Sequence, residues 1–161
     1  MITQKLLHEL FEYKNGELYW KKTIAKKTKI NSKAGHIKKN KYKVIGINGK
    51  TYPTQRLIYM MFYGYMPIEV DHDDNNPSNN KIENLRAATT QENQYNSKLR
   101  IDNNSGIKGV TWYAKTKKWQ AQLRVNGKPK HFGYYFDKEV ARFVVEAMRC
   151  KFHGNFANNG E

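Results

Sequence analysis

Cysteine, acidic residues and long apolar runs are all scarce in this sequence. Its 161 residues include one cysteine, Cys150, which excludes an internal disulfide framework and a cysteine-rich zinc site. Cys150 falls in an apolar helical pattern, which predicts a position in the core. No apolar run approaches the roughly 20 residues of a membrane-spanning helix, and residues 1–12 lack the apolar centre of a signal peptide. The expected location is therefore the cytoplasm.

The shortage of acidic residues leaves a large positive charge on the chain. Fourteen Asp and Glu residues stand against 29 Lys and Arg residues, which gives a formal net charge of +15. Such an excess favours a polyanionic partner, and nucleic acid is the first candidate, ahead of a membrane surface. Residues 21–50 contain eleven lysines and no acidic residue. We interpret this run as a DNA-facing arm, with a solvated surface as the competing interpretation.

Apolar periodicity and turn residues predict the first elements of the chain. Helical spacing indicates a short amphipathic helix within residues 2–13. The dipeptide Asn48-Gly49 tolerates positive φ at low cost, so it predicts the turn of a hairpin. An apolar helix over residues 57–62 is expected to end at Gly64.

The middle of the chain carries most of the side chains that can do chemistry. A close group of carboxylates in a basic protein repels itself unless a cation offsets it, which points to a metal. These carboxylates are Glu69, Asp71, Asp73 and Asp74. After an asparagine-rich loop, a strand at residues 85–88 precedes Thr89 and Glu92, whose capping-box spacing predicts a helix to about residue 99. The expected order is strand, long loop, strand, helix.

The last third of the chain has the pattern of a small basic domain. Residues 101–106 are polar and irregular, which suits a linker. Three strands are predicted beyond it, at residues 109–113, 119–125 and 130–136. Asn126-Gly127 is expected to turn the second strand into the third, and Asp137 to cap a helix that ends near Gly154. Residues 108–151 hold eleven Lys and Arg residues and three acidic residues.

One constellation in the middle of the chain resembles a known family. It consists of Asp71-His72-Asp73-Asp74-Asn75-Asn76, Asn79-Asn80, Asn84-Leu85-Arg86 and Asn93. Its order, spacing and residue types resemble the HNH motif of phage homing endonucleases, and the similarity covers residues 17–98. Two positions differ from the family, which usually has His in place of Gln55 and Gly in place of Asn75. Because asparagine enters the left-handed region readily, Asn75 is expected to preserve the turn.

The resemblance implies a ββα-metal nuclease domain that hydrolyses DNA phosphodiester bonds, nicking one strand or cutting both. His72 would be the general base, because an imidazole titrates near neutral pH. Asp71 and Asn93 would hold one Mg²⁺ or Mn²⁺ per active site, since hard oxygen ligands suit these ions. Asn84, taken with His72 as a catalytic residue, would bond across the loop and hold His72 in line. Asp71 and His72 face opposite sides of a regular strand, so the strand must end or twist there.

The C-terminal segment is similar to the plant Apetala and ethylene-response DNA-binding domain over residues 105–156. One departure is Tyr134-Tyr135-Phe136, which carries one aromatic residue more than the pattern. The resemblance implies a three-stranded sheet in the major groove. The DNA contacts it implies are Lys108, Trp112, Lys117, Trp119, Gln122 and Arg124. Gln122 and Arg124 share a strand face, and core packing is the competing interpretation for both tryptophans.

The expected fold class is α+β, with a nuclease domain and a small antiparallel sheet backed by one helix. The nuclease domain with its basic N-terminal region is assigned to residues 1–100, the linker to 101–106 and the DNA-binding domain to 107–161. The predicted function is a homing-type endonuclease acting on double-stranded DNA, with no evident protein partner, in a bacterial host's cytoplasm if a phage encodes it. A non-catalytic DNA-binding or regulatory protein on a decayed HNH fold is the main alternative, ahead of an RNA-binding protein of ribosomal type. The remaining histidines are expected at the surface: His8, His36, His131 and His153.

Overall fold

The computed structural model describes residues 2–25, 28–39 and 41–160. The chain divides into two compact units, Met1–Thr89 and Thr90–Glu161. Both units mix helices with small antiparallel sheets, so the predicted α+β class is confirmed. The division precedes the last helix of the motif, so Asn93 belongs to the second unit.

The first unit contains two α-helices, one 3-10 helix (Ile82–Asn84) and seven short strands in its described residues. The α-helices and strands are α1 (Gln4–Leu10), β1 (Phe11–Lys14), β2 (Glu17–Trp20), β3 (His36–Ile37), β4 (Lys43–Ile47), β5 (Lys50–Pro53), α2 (Thr54–Tyr63), β6 (Glu69–His72) and β7 (Leu85–Ala88). The strands form three sheets, β1-β2, β3-β4-β5 and β6-β7. The first helix ends at Leu10, earlier than predicted, because Phe11 already pairs with Trp20 in the β1-β2 hairpin.

Two turn predictions are confirmed in the first unit. Asn48 and Gly49 have φ angles of 49° and 75° and join β4 to β5. Gly64 ends α2 with a φ of 79°. The core takes side chains from both helices and from all three sheets. Its members include Leu7, Phe11, Leu18, Ile45, Ile47, Leu57, Ile58, Val70 and Leu85, so β6 and β7 are anchored in the same core as the rest of the unit.

The second unit begins with a short helix and continues as a sheet packed against a long helix. Its elements are α3 (Thr90–Tyr95), β8 (Val110–Tyr113), β9 (Lys118–Val125), β10 (Lys128–Tyr135) and α4 (Lys138–His153). The strand order is β10-β9-β8, with Asn126-Gly127 turning β9 into β10 at φ angles of 51° and 74°. The Asp137 side chain caps α4 by accepting from Glu139 N–H, as predicted. No helix in the described part of the chain is long and apolar enough to cross a membrane.

The buried face of α4 corrects two predictions. Its buried residues are spaced at helical intervals: Ala141, Val145, Arg149 and His153. Cys150, predicted in the core, is exposed because it is one residue past Arg149 and therefore turned roughly 100° around the helix. His153, predicted at the surface, is 8% exposed. The apolar pattern of this helix did not reveal that two basic side chains occupy its inner face.

Residues 101–106 form a hydrogen-bonded turn inside the second unit. Ser105 is buried, and its Oγ donates to Val110 O at 2.7 Å. Gly106 N–H donates to Asn103 Oδ1 at 2.8 Å. These bonds close the segment onto the start of β8. The segment predicted as a linker is therefore ordered by hydrogen bonds among its own polar side chains and the start of β8.

Candidate functional site

The β6-β7 hairpin holds the first two residues of the motif. His72 is the last residue of β6 and pairs with Leu85, while Asp71 lies opposite Arg86. Both side chains are buried, with Asp71 4% exposed and His72 5% exposed. The strand ends at His72, as the sequence required if both side chains were to serve one site. The loop that follows returns the chain to β7.

The ring of His72 is oriented by a residue for which the sequence had suggested no role. His72 Nε2 lies 2.9 Å from Asn80 Oδ1, and Asn80 is itself buried. Because an amide oxygen only accepts, Nε2 is the donor in this hydrogen bond. The ring centroid of Tyr42 lies 6.0 Å from that of His72. The paired asparagines Asn79-Asn80 were the only signal for this contact in the sequence.

Asn84 stabilises the loop between β6 and β7 by hydrogen bonds to Asp74 and Asn79, and none of these bonds is to His72. Its Nδ2 donates to Asp74 Oδ1 at 2.9 Å and to Asn79 O at 2.8 Å, and its Oδ1 accepts from Asp74 N–H at 3.1 Å. Burial alone would raise the pKa of Asp74. Hydrogen bonds from the Asn79 side chain, the Asn76 backbone and the Asn84 side chain outweigh burial and lower this pKa below its ordinary value. Asp74 is thus a structural carboxylate of the loop.

Replacing Asn84 with Ala is expected to lower stability and cleavage rate together. The change removes three hydrogen bonds of the loop, each worth about 0.5–1.5 kcal/mol, and frees the segment that carries Asn80. Thermal melting and cleavage rates measure the two effects, with Ser78→Ala in the same loop as the control. A loss of rate at an unchanged melting temperature would instead assign Asn84 a direct part in the chemistry.

Arg86 links two of the clustered carboxylates. Its Nε and Nη2 lie 2.9 and 2.7 Å from Asp71 Oδ2, and its Nη1 lies 2.5 Å from Asp73 Oδ1. The sequence indicated that this acidic cluster needs a cation. The Arg86 guanidinium supplies part of this positive charge. It lies beside Asp71 because the strand register pairs Asp71 with Arg86. Arg86 belongs to the motif in the sequence, but the spacing of the motif does not indicate this contact.

The donor set for a metal fits Mg²⁺ or Mn²⁺ in chemical type. Among the described residues, no group of three or more His, Cys, Asp or Glu side chains is arranged to hold a metal ion. The predicted pair needs no such group, because it combines one carboxylate, Asp71, with one amide oxygen, Asn93. Asp71 lies in the first unit and Asn93 on α3 in the second.

The two departures from the family pattern differ in their structural consequences. Asn75 has a φ of 55°, so the predicted glycine-type turn is confirmed. Gln55 lies in the first turn of α2 and is 6% exposed. Its Oε1 is buried and has no hydrogen-bond partner among the described residues. An unsatisfied buried acceptor costs stability, so glutamine is not an optimal side chain at this position.

The outer face of the C-terminal sheet is polar and aromatic. Along β9, Ala121 and Leu123 are buried, whereas Gln122 and Arg124 lie on the opposite face, as predicted. Cross-strand partners add three side chains that sequence reasoning missed. They are His131 opposite Gln122, Tyr134 opposite Gln120, and Tyr113, whose ring lies 5.2 Å from that of Tyr134. The pairing of β10 with β9 shifts at a bulge between His131 and Tyr134, where Gly133 has a φ of 125°.

The two tryptophans lie on the other face of that sheet. Trp112 and Trp119 are cross-strand partners with ring centroids 5.0 Å apart and planes at 67°. Trp119 packs against the core beside α4, which agrees with the core-packing interpretation. Trp112 is 52% exposed, at the edge strand β8. Lys117 is exposed in the turn between these strands, with a φ of 53°.

Lys108 is engaged inside the second unit. Its ammonium group donates to the backbone oxygens of Tyr95 at 2.9 Å, Ser97 and Asn158 at 3.0 Å. Burial, with a smaller contribution from the nearby Arg149 charge, lowers the pKa of Lys108 to about 8. The backbone oxygens solvate this ammonium group within the unit, which gives Lys108 a structural position.

The lowered pKa of Lys108 predicts that stability increases with pH above neutrality. Between pH about 8 and its ordinary pKa of 10.5, the unfolded chain binds this proton and the folded chain does not. The free energy of unfolding therefore rises through this window, in which the cost of burying the charge disappears. Melting temperatures of the wild type and Lys108→Met across the window test this. As the pH rises through this window, the melting temperature of the wild type should increase relative to that of Lys108→Met. A difference in melting temperature that does not change with pH would contradict the prediction.

A cleft of about 680 Å³ in the second unit is lined by basic side chains. They are Arg100, Lys108, Arg124, Arg149 and His153, with no acidic residue in the lining; Arg149 is fully buried, and burial lowers the pKa of His153 below its ordinary value. Clefts lined by charge of one sign concentrate ions of the opposite sign. This cleft adjoins the outer sheet face through Gln122 and Arg124, so the basic surface continues from one to the other.

The β6-β7 hairpin, the His72-Asn80 bond and the loop braced by Asn84 all lie within residues 69–88. A family model described as HNH endonuclease matches residues 52–95, and the chain belongs to the HNH endonuclease family. One relative is Protein 3.8 of Escherichia phage T7, which is 35% identical over 88 residues, or 55% of this chain and 72% of that protein. No solved structure matches the chain.

Proposed function

We propose that this protein is a homing-type, metal-dependent DNA endonuclease in which His72 activates the attacking water. The observation that carries this proposal is the 2.9 Å hydrogen bond from His72 Nε2 to Asn80 Oδ1 at the end of β6. In a neutral ring, this donation by Nε2 leaves Nδ1 as the proton acceptor. A general base held in one tautomer by a buried partner is ready to accept a proton without reorganising.

We propose Asp71 and Asn93 as the ligands of one Mg²⁺ or Mn²⁺. Both offer hard oxygen donors, and Arg86 fixes the direction of the Asp71 carboxylate. Once bound, such an ion stabilises the negative charge that develops on the phosphate and on the departing oxygen. Asn84 keeps its proposed role of holding the loop, and acts on His72 through the segment that carries Asn80.

The second unit is proposed to bind double-stranded DNA with its sheet, as in an Apetala-type domain. Gln122 and Arg124 face outward beside His131, and this face carries aromatic side chains and positive charge. We keep Lys117, which is exposed in the turn between β8 and β9, and Trp112, which is exposed at the β8 edge on the face opposite Gln122 and Arg124. We assign Lys108 and Trp119 to the interior of the unit, where hydrogen bonding and core packing account for them.

Supercoiled plasmid provides the test of the proposed function. Nicked or linear product is expected with Mg²⁺ or Mn²⁺ and is expected to disappear with a chelator. DNA binding measured by anisotropy should weaken steeply with salt, because Lys and Arg bound to phosphates release counterions. Absence of product with either ion, with DNA binding intact, would reject the enzyme and support the alternative.

That alternative is a DNA-binding or regulatory protein on an HNH fold without turnover. The observation that favours it is Gln55, which stands where the family usually has His and leaves a buried Oε1 without a partner. The two candidates differ in one result, since only the enzyme changes plasmid topology.

A further inference from the structure

The helix that carries Asn93 is too short to be stable by itself. Helix α3 spans Thr90–Tyr95, six residues, whereas isolated helices shorter than about 12–15 residues are marginal in water. Its position must therefore be set by tertiary contacts. The contacts of its last turn are made with the sheet, with α4 and with the C-terminal residues of the second unit.

Tyr95 makes the closest of these contacts. Its ring stacks on that of His153, with centroids 3.6 Å apart and planes within 4°. Its hydroxyl accepts from Asn126 N–H at 3.1 Å, in the turn between β9 and β10. His153 is held in turn, because its Nε2 donates to Arg124 O at 3.0 Å. Tyr95 is 8% exposed, so the end of α3 is packed between the β9-β10 turn and the end of α4.

The segment after α3 is held by the C-terminal residues of the chain. Asn158 Nδ2 donates to Asn96 Oδ1 at 3.2 Å, and Leu99 N–H donates to Gly160 O at 3.2 Å. Lys108 joins the two segments, since its ammonium binds both Tyr95 O and Asn158 O. The last residue of α3 and the segment that follows it are therefore both held by contacts within the second unit.

The geometry points to Tyr95 as a positioning residue for Asn93, because contacts made within the second unit fix the helix that carries both residues. Two residues along an α-helix turn the side chain by roughly 200°. Asn93 therefore leaves α3 on the side opposite the buried Tyr95 ring, and anchoring Tyr95 sets the direction of the Asn93 amide. This inference rests on the proposed function, in which Asn93 is a metal ligand.

The test uses full-length protein with Tyr95→Ala, Tyr95→Phe and Tyr135→Ala. Tyr95→Ala removes the stack and the hydroxyl, while Tyr95→Phe keeps the stack. Tyr135 packs in the core of the same unit and donates to Phe132 O, so Tyr135→Ala controls for general destabilisation. The readouts are the Mn²⁺ concentration for half-maximal plasmid nicking, Mn²⁺ binding by calorimetry, DNA affinity, and hydrogen exchange of the α3 amides.

Tyr95→Ala is expected to weaken Mn²⁺ binding by roughly 10–100-fold, the usual effect of losing support for a metal ligand. Exchange of the α3 amides should accelerate, high Mn²⁺ should partly restore nicking, and DNA affinity should change little. Tyr95→Phe should stay near the wild type. If Tyr95→Ala does not fold, Asn158→Ala, which loosens the segment after α3 from the C-terminal residues, should raise the Mn²⁺ requirement in the same direction.

Two results would overturn the inference. One is that folded Tyr95→Ala, or Asn158→Ala where that variant is used, binds Mn²⁺ as tightly as the wild type and needs no more Mn²⁺ for nicking. The other is an equal loss of Mn²⁺ binding in Tyr135→Ala, which would reduce the effect to general stability. A wild-type protein that neither nicks plasmid nor binds Mn²⁺ would instead reject the proposed function, so the two failures are distinguishable.

Discussion

His72→Ala is expected to lower the rate of DNA cleavage by roughly 10²–10⁴-fold, the usual contribution of a general base. DNA affinity should stay nearly unchanged, because a buried imidazole bonded to Asn80 holds no phosphate. Single-turnover cleavage at saturating protein measures the chemical step, and anisotropy measures affinity. Cleavage at the wild-type rate by a folded variant would remove His72 from the mechanism.

Two variants sharpen this experiment. Asn80→Ala removes the partner of Nε2 and leaves the base in place, so a smaller rate loss than that of His72→Ala is expected. His36→Ala changes an exposed histidine of the same unit and should leave the rate unaltered. A loss for Asn80→Ala equal to that for His72→Ala, with both variants folded, would mean that the imidazole is inactive without its partner.

Arg86→Ala is expected to destabilise the first unit by up to about 3–5 kcal/mol, the usual cost of removing one partner of a fully buried ion pair. This value is an upper limit because the Asp71 side chain is 6% exposed and that of Arg86 is 23% exposed. Asp71 is 4% exposed and would remain in the core of the hairpin without its guanidinium partner. Asp73, which is largely exposed, would lose its contact at little cost. Denaturant unfolding followed by signals from the first unit measures the loss.

The matched control is Lys14→Ala. Lys14 also bridges to a carboxylate in the first unit, Glu12 at 2.9 Å, but both side chains are about half exposed. Exposed pairs of this kind contribute about 0–1 kcal/mol. Equal losses for Arg86→Ala and Lys14→Ala would show that the Asp71-Arg86 pair is not a buried interaction in solution. Added Mn²⁺ should restore part of the stability of Arg86→Ala if Asp71 is a metal ligand.

Local signals in the sequence predicted much of the fold because they act over a few residues. Asn48-Gly49, Gly64, Asn126-Gly127 and Asp137 each occupy the turn or cap that they predicted. Asn75 has the left-handed conformation expected of a residue in a glycine position. These predictions succeeded because backbone preferences of such residues are set by their own sterics and by hydrogen bonds to near neighbours.

Predictions that depended on distant residues were less successful. The first helix was predicted too long because its end is decided by pairing of Phe11 with Trp20. Cys150 was predicted to be buried and is exposed, whereas His153 was predicted to be exposed and is buried. An apolar pattern does not reveal that Arg149 is buried or that a histidine stacks on Tyr95. The sequence pattern of residues 101–106 did not indicate that Ser105 and Asn103 form hydrogen bonds in the turn that leads into β8.

The sequence by itself indicated the family of the protein and the residues proposed for its site, because the spacing of Asp71, His72, Asn84 and Asn93 is a property of the chain. Tertiary structure decided which side chains serve them. Asn80 reaches His72 across a loop, Arg86 meets Asp71 through strand register, and Tyr95 meets His153 from 58 positions away in the chain. Such partners are set by packing between segments, and a one-dimensional pattern records only which residues are near one another along the chain.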